Sequence, residues 1–289
     1  LSDFSEEKCW NAFRFRPQNI SAFLRLLGIP EHVISGNRRR HAGMEALLFF
    51  LCRLRYLNRL DDVSIRMGRE YTQMERVVKN MAYMLVKMFG HMLSDGIWAC
   101  ATYFDRATRP RGEDKDLFFV DITHRPHFRP AGDVAQVATY SGYKRSHDIK
   151  FHGSLPPNDI IADLWGPTVG RHQDGYLMRS MHDKLRNPQE GNPTQYYVHG
   201  DTAYAGIQEM AAGLSQSQSQ ENEAMSVCRV GVGNPLGKVC KLWGFLDHKR
   251  NLKLMQSPIG YLFLVRVLLT NVHTGVYGSR VTEYYREPP

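Results

Sequence analysis

The stretch that most constrains this chain is residues 116–152, DLFFVDITHRPHFRPAGDVAQVATYSGYKRSHDIKFH. An apolar run, Leu117–Val120, leads straight into Asp121. Aspartate is disfavoured in strands and costly to bury unpaired, so a carboxylate at that place needs a cation, a donor or a metal. A turn-capping aspartate is the plainer reading of the same residue. The surroundings favour a charged partner, because THRP, HFRP, YSGYKRSH and KFH ring the carboxylate with basic side chains. A metal-binding carboxylate set where a polyanion must lie would have this composition.

The rest of the composition narrows the class. With 289 residues, 43% hydrophobic and 23% charged, the chain has the make-up of a globular protein of one large or two modest domains. Its net charge of +8 points towards acidic partners, nucleic acid foremost. Five cysteines (Cys9, Cys52, Cys100, Cys228, Cys240) show no CxxC pair, which suits reduced thiols, with Cys52 in LLFFLC read as core. The opening LSDFSEEKCW is acidic and polar and lacks the apolar centre of a secretory signal. The longest apolar runs, 46–52 and 261–265, are too short to span a bilayer, so an intracellular protein with no membrane partner is expected.

In chain order, residues 1–105 read as an all-helical region. Phe23, Leu24, Leu26 and Leu27 mark one helical face, ended by Gly28 and Pro30. GNRRRH (36–41) reads as a basic turn, and GMEALLFFLCRLRYL as an apolar helix from which Arg53, Arg55 and Arg59 emerge. Asp61 and Asp62 suit the start of a short helix that stops near Gly68. Thr72 and Glu75 have capping-box spacing, followed by Met74, Val77, Val78, Met81, Leu85 and Met88 at helical intervals. Helix, glycine-bearing turn, helix is a helix-turn-helix-like pattern; an ordinary helical bundle would read the same way. Between Arg38 and Lys79 ten Lys/Arg face five Asp/Glu, a surplus that suits DNA contact as well as a solvated basic face.

Residues 106–116, RATRPRGEDKD, form the linker candidate, and beyond it the periodicity changes. LFFVDI, YKRSHDIKFHGSL and NDIIADLWGP read as strands, the first two joined through a basic hairpin. A glycine-rich turn and a helix opening near Asp174 follow, then the strand of QYYVHGDTAYAG ending at Asp201. SQSQSQ (215–220) reads as a low-complexity loop, with further helices in NEAMSVCRV and SPIGYLFLVRVLLTNV. Strands followed by helix, strand and helices make residues 117–289 a mixed α/β layer domain.

The motifs VDITHRP, FRP, YSGYKRSHDIKF, GPTVGRHQD, HGDTAY and NEAMSVCRV stand in the order found in PIF/Harbinger transposases and their domesticated relatives. FRF…IP, ALLFFLCRL and MGREYTQMERVV likewise resemble that family's amino-terminal helix-turn-helix segment. The resemblance covers nearly the whole chain. It implies the DDE superfamily's RNase H-like core, a mixed sheet flanked by helices, and a Mg²⁺- or Mn²⁺-dependent DNA nuclease site of three carboxylates. Phosphodiester attack builds charge on entering and leaving oxygens, which two ions about 4 Å apart clamp. Carboxylates suit such hard cations. On this resemblance Asp121 is the first acid and Asp201 the second; helix N-capping is the alternative role for Asp201, in a strand-to-helix turn. Asp174, in GRHQDG, is a further candidate ligand whose simpler role is also an N-cap, and His172 in the same turn is a phosphate or metal candidate.

The family's third acid is a helical Glu, and Gly233 stands in its place here. Gly231, Gly233, Gly237 and Pro235 crowd the same segment, where each interior glycine costs a helix about 1 kcal/mol and a proline about 3 kcal/mol. Glu223 and Asp247 lie ten and fourteen residues away, about 15 Å or more along a helix, too far to substitute. Impaired cleavage is therefore expected. Two readings follow: a transposase-type endonuclease and strand transferase, or a catalytically silent relative that binds DNA or serves as an adaptor. For either, Arg125, Arg129, Lys144, Arg145, His147 and Lys150, interleaved with Tyr140 and Tyr143, are the expected phosphate contacts. The resemblance further implies a Myb/SANT-like DNA-binding partner, a homo-oligomer and residence in the nucleus.

Overall fold

The computed structural model describes residues 5–36, 38–56, 59–94, 116–156, 158–172, 177, 196–200, 235–247, 252–254 and 256–279. By contacts the chain forms two compact units that do not follow chain order. The first comprises residues 1–90, 126–130 and 239–268; the second comprises 91–125, 131–238 and 269–289. The linker segment expected at 106–116 lies outside the described residues except for Asp116.

The first unit is helical. Helix α1 (Glu6–Phe13) starts at Ser5, whose hydroxyl accepts the Lys8 N–H at 3.3 Å, and Glu6 and Glu7 complement its positive end. Helix α2 (Pro17–Leu26) opens with proline, where the missing N–H costs nothing. It buries Ile20 and Phe23, whereas Leu26 is 73% exposed, so the expected apolar face is narrower than its leucines suggest. The basic turn expected at 36–41 falls partly in a small antiparallel hairpin, β1 (His32–Ile34) with β2 (Arg40–Ala42), whose second strand takes in Arg40 and His41. Helix α3 (Gly43–Arg55) buries nine of its thirteen residues. A helix apolar on nearly every side belongs in a core. Arg53 does not emerge from its end as expected. It is 7% exposed, with its guanidinium 3.6 Å from the Phe245 ring centre, and burial draws its pKa down to about 10.

Helix α4 (Leu60–Met67) stops at Gly68, whose φ of 61° places it in the left-handed region. Helix α5 (Tyr71–Phe89) then buries Met74, Val77, Val78, Met81 and Leu85, as the periodicity predicts, whereas Met88, the last of that series, is exposed. The expected Thr72–Glu75 box is not formed. Glu70 is the N-cap residue, and the Thr72 hydroxyl donates to its carboxylate at 2.7 Å, holding that carboxyl below its usual range. Aromatic packing closes the core: Phe15 meets Phe23 edge-on at 4.4 Å and Trp243 at 5.9 Å.

The second unit holds the mixed sheet. Its order is β4 (Tyr140–Ser141), β5 (Ser146–Leu155), β3 (Asp116–Pro126), β7 (Tyr196–His199), with β6 (Asp163–Val169) also pairing β5. β5 and β6 are antiparallel and β3 and β7 parallel. An antiparallel run that ends in a parallel strand beside the first is the RNase H-like arrangement. The segment between β3 and β5 is not a simple hairpin; it contains helix α6 (Asp133–Thr139). From Asp148 to Leu155 every residue of β5 is buried, so both faces of that strand are covered.

Helix α7 (Pro235–Leu242) and helix α8 (Ile259–Tyr277) complete the described elements. α8 is longer than the apolar run at 261–265 suggests, and its 19 residues are apolar enough to cross a membrane by length and composition. More than half of its most apolar stretch is buried, Arg266 fully so, which is the pattern of a core helix.

Two stability tests follow. Gly68→Ala adds a Cβ to a left-handed residue with open space around it, and should cost about 1 kcal/mol in urea unfolding, whereas Gly36→Ala should be near neutral. Burial pushes the Cys9 thiol up and the Cys52 thiol up to about 11, so both should resist iodoacetamide at pH 8 in the native chain while Cys240 reacts.

Candidate active site

β3 is the strand on which the site is built. Phe, Val and Ile favour an extended, covered strand, and Phe119 and Val120 are buried. Its parallel register with β7 runs from Asp116 opposite Tyr196 to Phe119 opposite His199. Asp121 stands two residues beyond the last of these pairs. Its side chain is half-buried, and Oδ1 accepts the Ile122 N–H at 3.0 Å. A carboxylate at a strand end, part shielded and part open, is the kind of oxygen donor a hard divalent cation takes.

Three residues further along β3 lies His124, on the opposite face by strand alternation. Its Nδ1 is 3.0 Å from Oδ2 of Asp148, a β5 carboxylate with no exposed surface. The contact joins the end of β3 to the start of β5, the sense of an antiparallel pair. Asp148 Oδ1 has no hydrogen-bond partner among the described residues. Gly170, at the end of β6, makes room for this carboxylate. A Cβ there would lie 2.5 Å from the Thr139 carbonyl oxygen and 2.7 Å from that of Asp148. This pair was not singled out by sequence reasoning. The available signal was an aspartate entering the apolar stretch DIKF, the same signature that marks Asp121.

The expected phosphate contacts divide by exposure. Lys144 and Arg145 are exposed in the turn between β4 and β5, beside Tyr143, which is 87% exposed and has the Lys144 ammonium 4.8 Å from its ring centre. Arg129 is exposed too, in the first unit. His147 is half-buried, with Nδ1 3.3 Å from the Thr139 hydroxyl and its ring 5.5 Å from that of Tyr140. Arg125 and Lys150 are each 6% exposed and point their charges inward. Arg125 donates to the Thr123 hydroxyl, and Lys150 donates to the His172 carbonyl at 2.7 Å. His172 in turn holds Thr168, at 2.8 Å. These two cations therefore brace the sheet and the turn after β6 rather than meet solvent.

Asp201, Asp174 and Gly233 lie outside the described residues. Among the described residues no cluster of three or more His, Cys, Asp or Glu side chains has the spacing of a metal centre. Of the expected carboxylate ligands Asp121 alone is described; His172, the other candidate, is described with its Nδ1 on the Thr168 hydroxyl.

Because Asp148 is fully buried, removing the imidazole leaves its carboxylate, among the described residues, only the long 3.5 Å contact from the Ser146 hydroxyl. His124→Ala should cost about 3 kcal/mol or more in denaturant unfolding, and the double change with Asp148→Asn should recover part of it.

The family model for DDE superfamily endonucleases matches residues 120–271, slightly more than half of the chain. The match starts on β3 one residue before Asp121 and runs into α8, so it takes in every described strand of the sheet after that point. No curated protein and no solved structure gives a significant match. On the extent of the family match and the RNase H-like sheet that carries it, this chain belongs to the DDE superfamily endonucleases.

Proposed function

We propose that the chain is a divalent-metal-dependent DNA endonuclease of the PIF/Harbinger transposase type, working at reduced efficiency. One observation carries the reading. Paired residues of β3 and β7 differ by 80 in number, as Asp116 and Tyr196 do, and Asp121 and Asp201 are separated by the same 80 residues. Parallel strands end on the same side, so a shared register is what two carboxylates need in order to serve one ion. The donor chemistry fits Mg²⁺ or Mn²⁺: Asp121 offers a half-buried carboxylate, and Asp201 would supply the second. The metal, when bound, would activate water and stabilise charge on the phosphate oxygens.

What this chain's own residues do can be stated separately. Asp121 anchors one side of the site from the central strand, with Oδ1 oriented by the Ile122 amide. Lys144 and Arg145 offer cationic charge to phosphates, with Tyr143 beside them as a flat apolar surface. Gly233 supplies no carboxylate where the family has its third acid, which would weaken transition-state clamping. Pro235 opens α7 just downstream, a position that suits proline. That loss is what favours a second reading, a silent DNA-binding or adaptor protein on the same fold. A Myb/SANT-like DNA-binding partner, a homo-oligomer and nuclear residence accompany the first reading.

The test is nicking of a DNA duplex in Mg²⁺ or Mn²⁺. The endonuclease reading expects weak nicking that falls to background in Asp121→Ala and rises in Gly233→Glu. Absence of nicking in all three, with salt-sensitive DNA binding retained, would select the silent reading. Lys144→Gln with Arg145→Gln should lower the slope of log affinity against log salt by about 2, if each contacts one phosphate.

A further inference from the structure

We infer that Arg14, Arg55 and Arg66 form an oxyanion site in the first unit, built around Tyr56 and suited to a phosphate group. The three guanidinium groups come from separate elements: Arg14 caps the end of α1, Arg55 is the last residue of α3, and Arg66 lies in the last turn of α4. One ring gathers two of them. The Arg55 and Arg66 guanidinium carbons lie 5.7 and 5.2 Å from the Tyr56 ring centre. Tyr56 is itself tethered, its hydroxyl reaching the Asn11 carbonyl at 3.5 Å.

Such a grouping normally contains a carboxylate, and here none is engaged. Among the described residues, the first unit's ion pairs engage Arg16, Arg39, His41, Arg69, Lys79 and Arg266, and none of them includes Arg14, Arg55 or Arg66. Asp62, one helical turn before Arg66, makes no ion pair with it. The Nε atoms of Arg14 and Arg55 are both buried without a hydrogen-bond partner among the described residues. Burial first, and then the charge of Arg55, draw the Arg14 pKa below its ordinary value. Two half-buried guanidiniums that repel one another, with a third on the exposed side, are stabilised by an anion that accepts from all three. Phosphate fits, since guanidinium forks match its oxygens and its charge offsets theirs. The ring faces soften the repulsion while the site is empty but donate no counter-charge.

This site does not depend on the nuclease reading, and it lies in a different unit from Asp121. The full chain would be melted in chloride and in millimolar inorganic phosphate at matched ionic strength, and phosphate binding measured by calorimetry. The unmodified chain should gain melting temperature with phosphate concentration. Arg66→Gln, which touches only the exposed member, should bind phosphate about tenfold more weakly. Arg55→Gln with Arg66→Gln should lose the phosphate-specific rise and, in chloride, melt no lower than the unmodified chain, because a repulsion has been removed. An equal phosphate response in all three chains, or a double variant that melts well below the parent in chloride, would overturn the inference and make these arginines packing residues. Adding a short DNA duplex separates the sources: displacement of bound phosphate identifies the ligand as DNA backbone, and retention identifies a free phosphate compound. Asp121→Ala serves as the control and should leave phosphate binding unchanged.

Discussion

The second unit depends on β3 having hydrogen-bonded neighbours on both sides. β5 flanks it on one side and β7 on the other, and the β7 pairing is parallel. Parallel pairing requires a long connection, here all of the chain from the end of β3 to the start of β7, so residues distant in sequence become neighbours at one strand end. Everything chemical in the unit is measured from that strand. Asp121 stands on one of its faces and His124 on the other, and the buried β5 carboxylate Asp148 takes its shortest contact from β3, with the Ser146 hydroxyl a longer one from its own strand. A shift of β3 by one residue would exchange these two faces and put Asp121 on the face that now carries His124. The register is thus fixed by burial around Asp148 as well as by the apolar run.

The two kinds of cation near the sheet illustrate how burial sorts residues that composition treats alike. Arg125 and Lys150 belong to the same basic cluster as Lys144 and Arg145 in sequence. Strand residues with covered faces turn inward, however, and those two are consumed by the Thr123 hydroxyl and the His172 carbonyl. The residues in the β4–β5 turn have no such cover and keep their charge in solvent. The same sorting acts in the first unit, where Arg53 is drawn under Phe245 while Arg66 stays outside.

Much of this was legible in the sequence. Helical periodicity located α3 and α5 and their buried faces, the apolar run located β3, and motif order identified the sheet's architecture. What escaped were features set by partners far away in the chain. Leu26 looked as apolar as Phe23, yet it stays exposed. The hairpin of β1 and β2 hid in a basic stretch because three-residue strands carry almost no periodic signal. Thr72 and Glu75 had the spacing of a cap, but Glu70 is the N-cap and Thr72 already lies inside the first turn of α5, so it cannot cap the helix. Asp148 could be seen as an aspartate in an apolar stretch, whereas its partner was fixed only once β3 and β5 lay together.

The return of residues 239–268 to the first unit has a consequence for how the chain is made. Trp243 is fully buried and contacts Phe15, so the amino-terminal helices lack part of their interior until the ribosome has released a segment more than 220 residues downstream. During synthesis those helices must wait with apolar faces uncovered, although they emerge first. A premature stop in the intervening stretch would therefore damage the amino-terminal half as well as the sheet, and such products would be natural clients for chaperones.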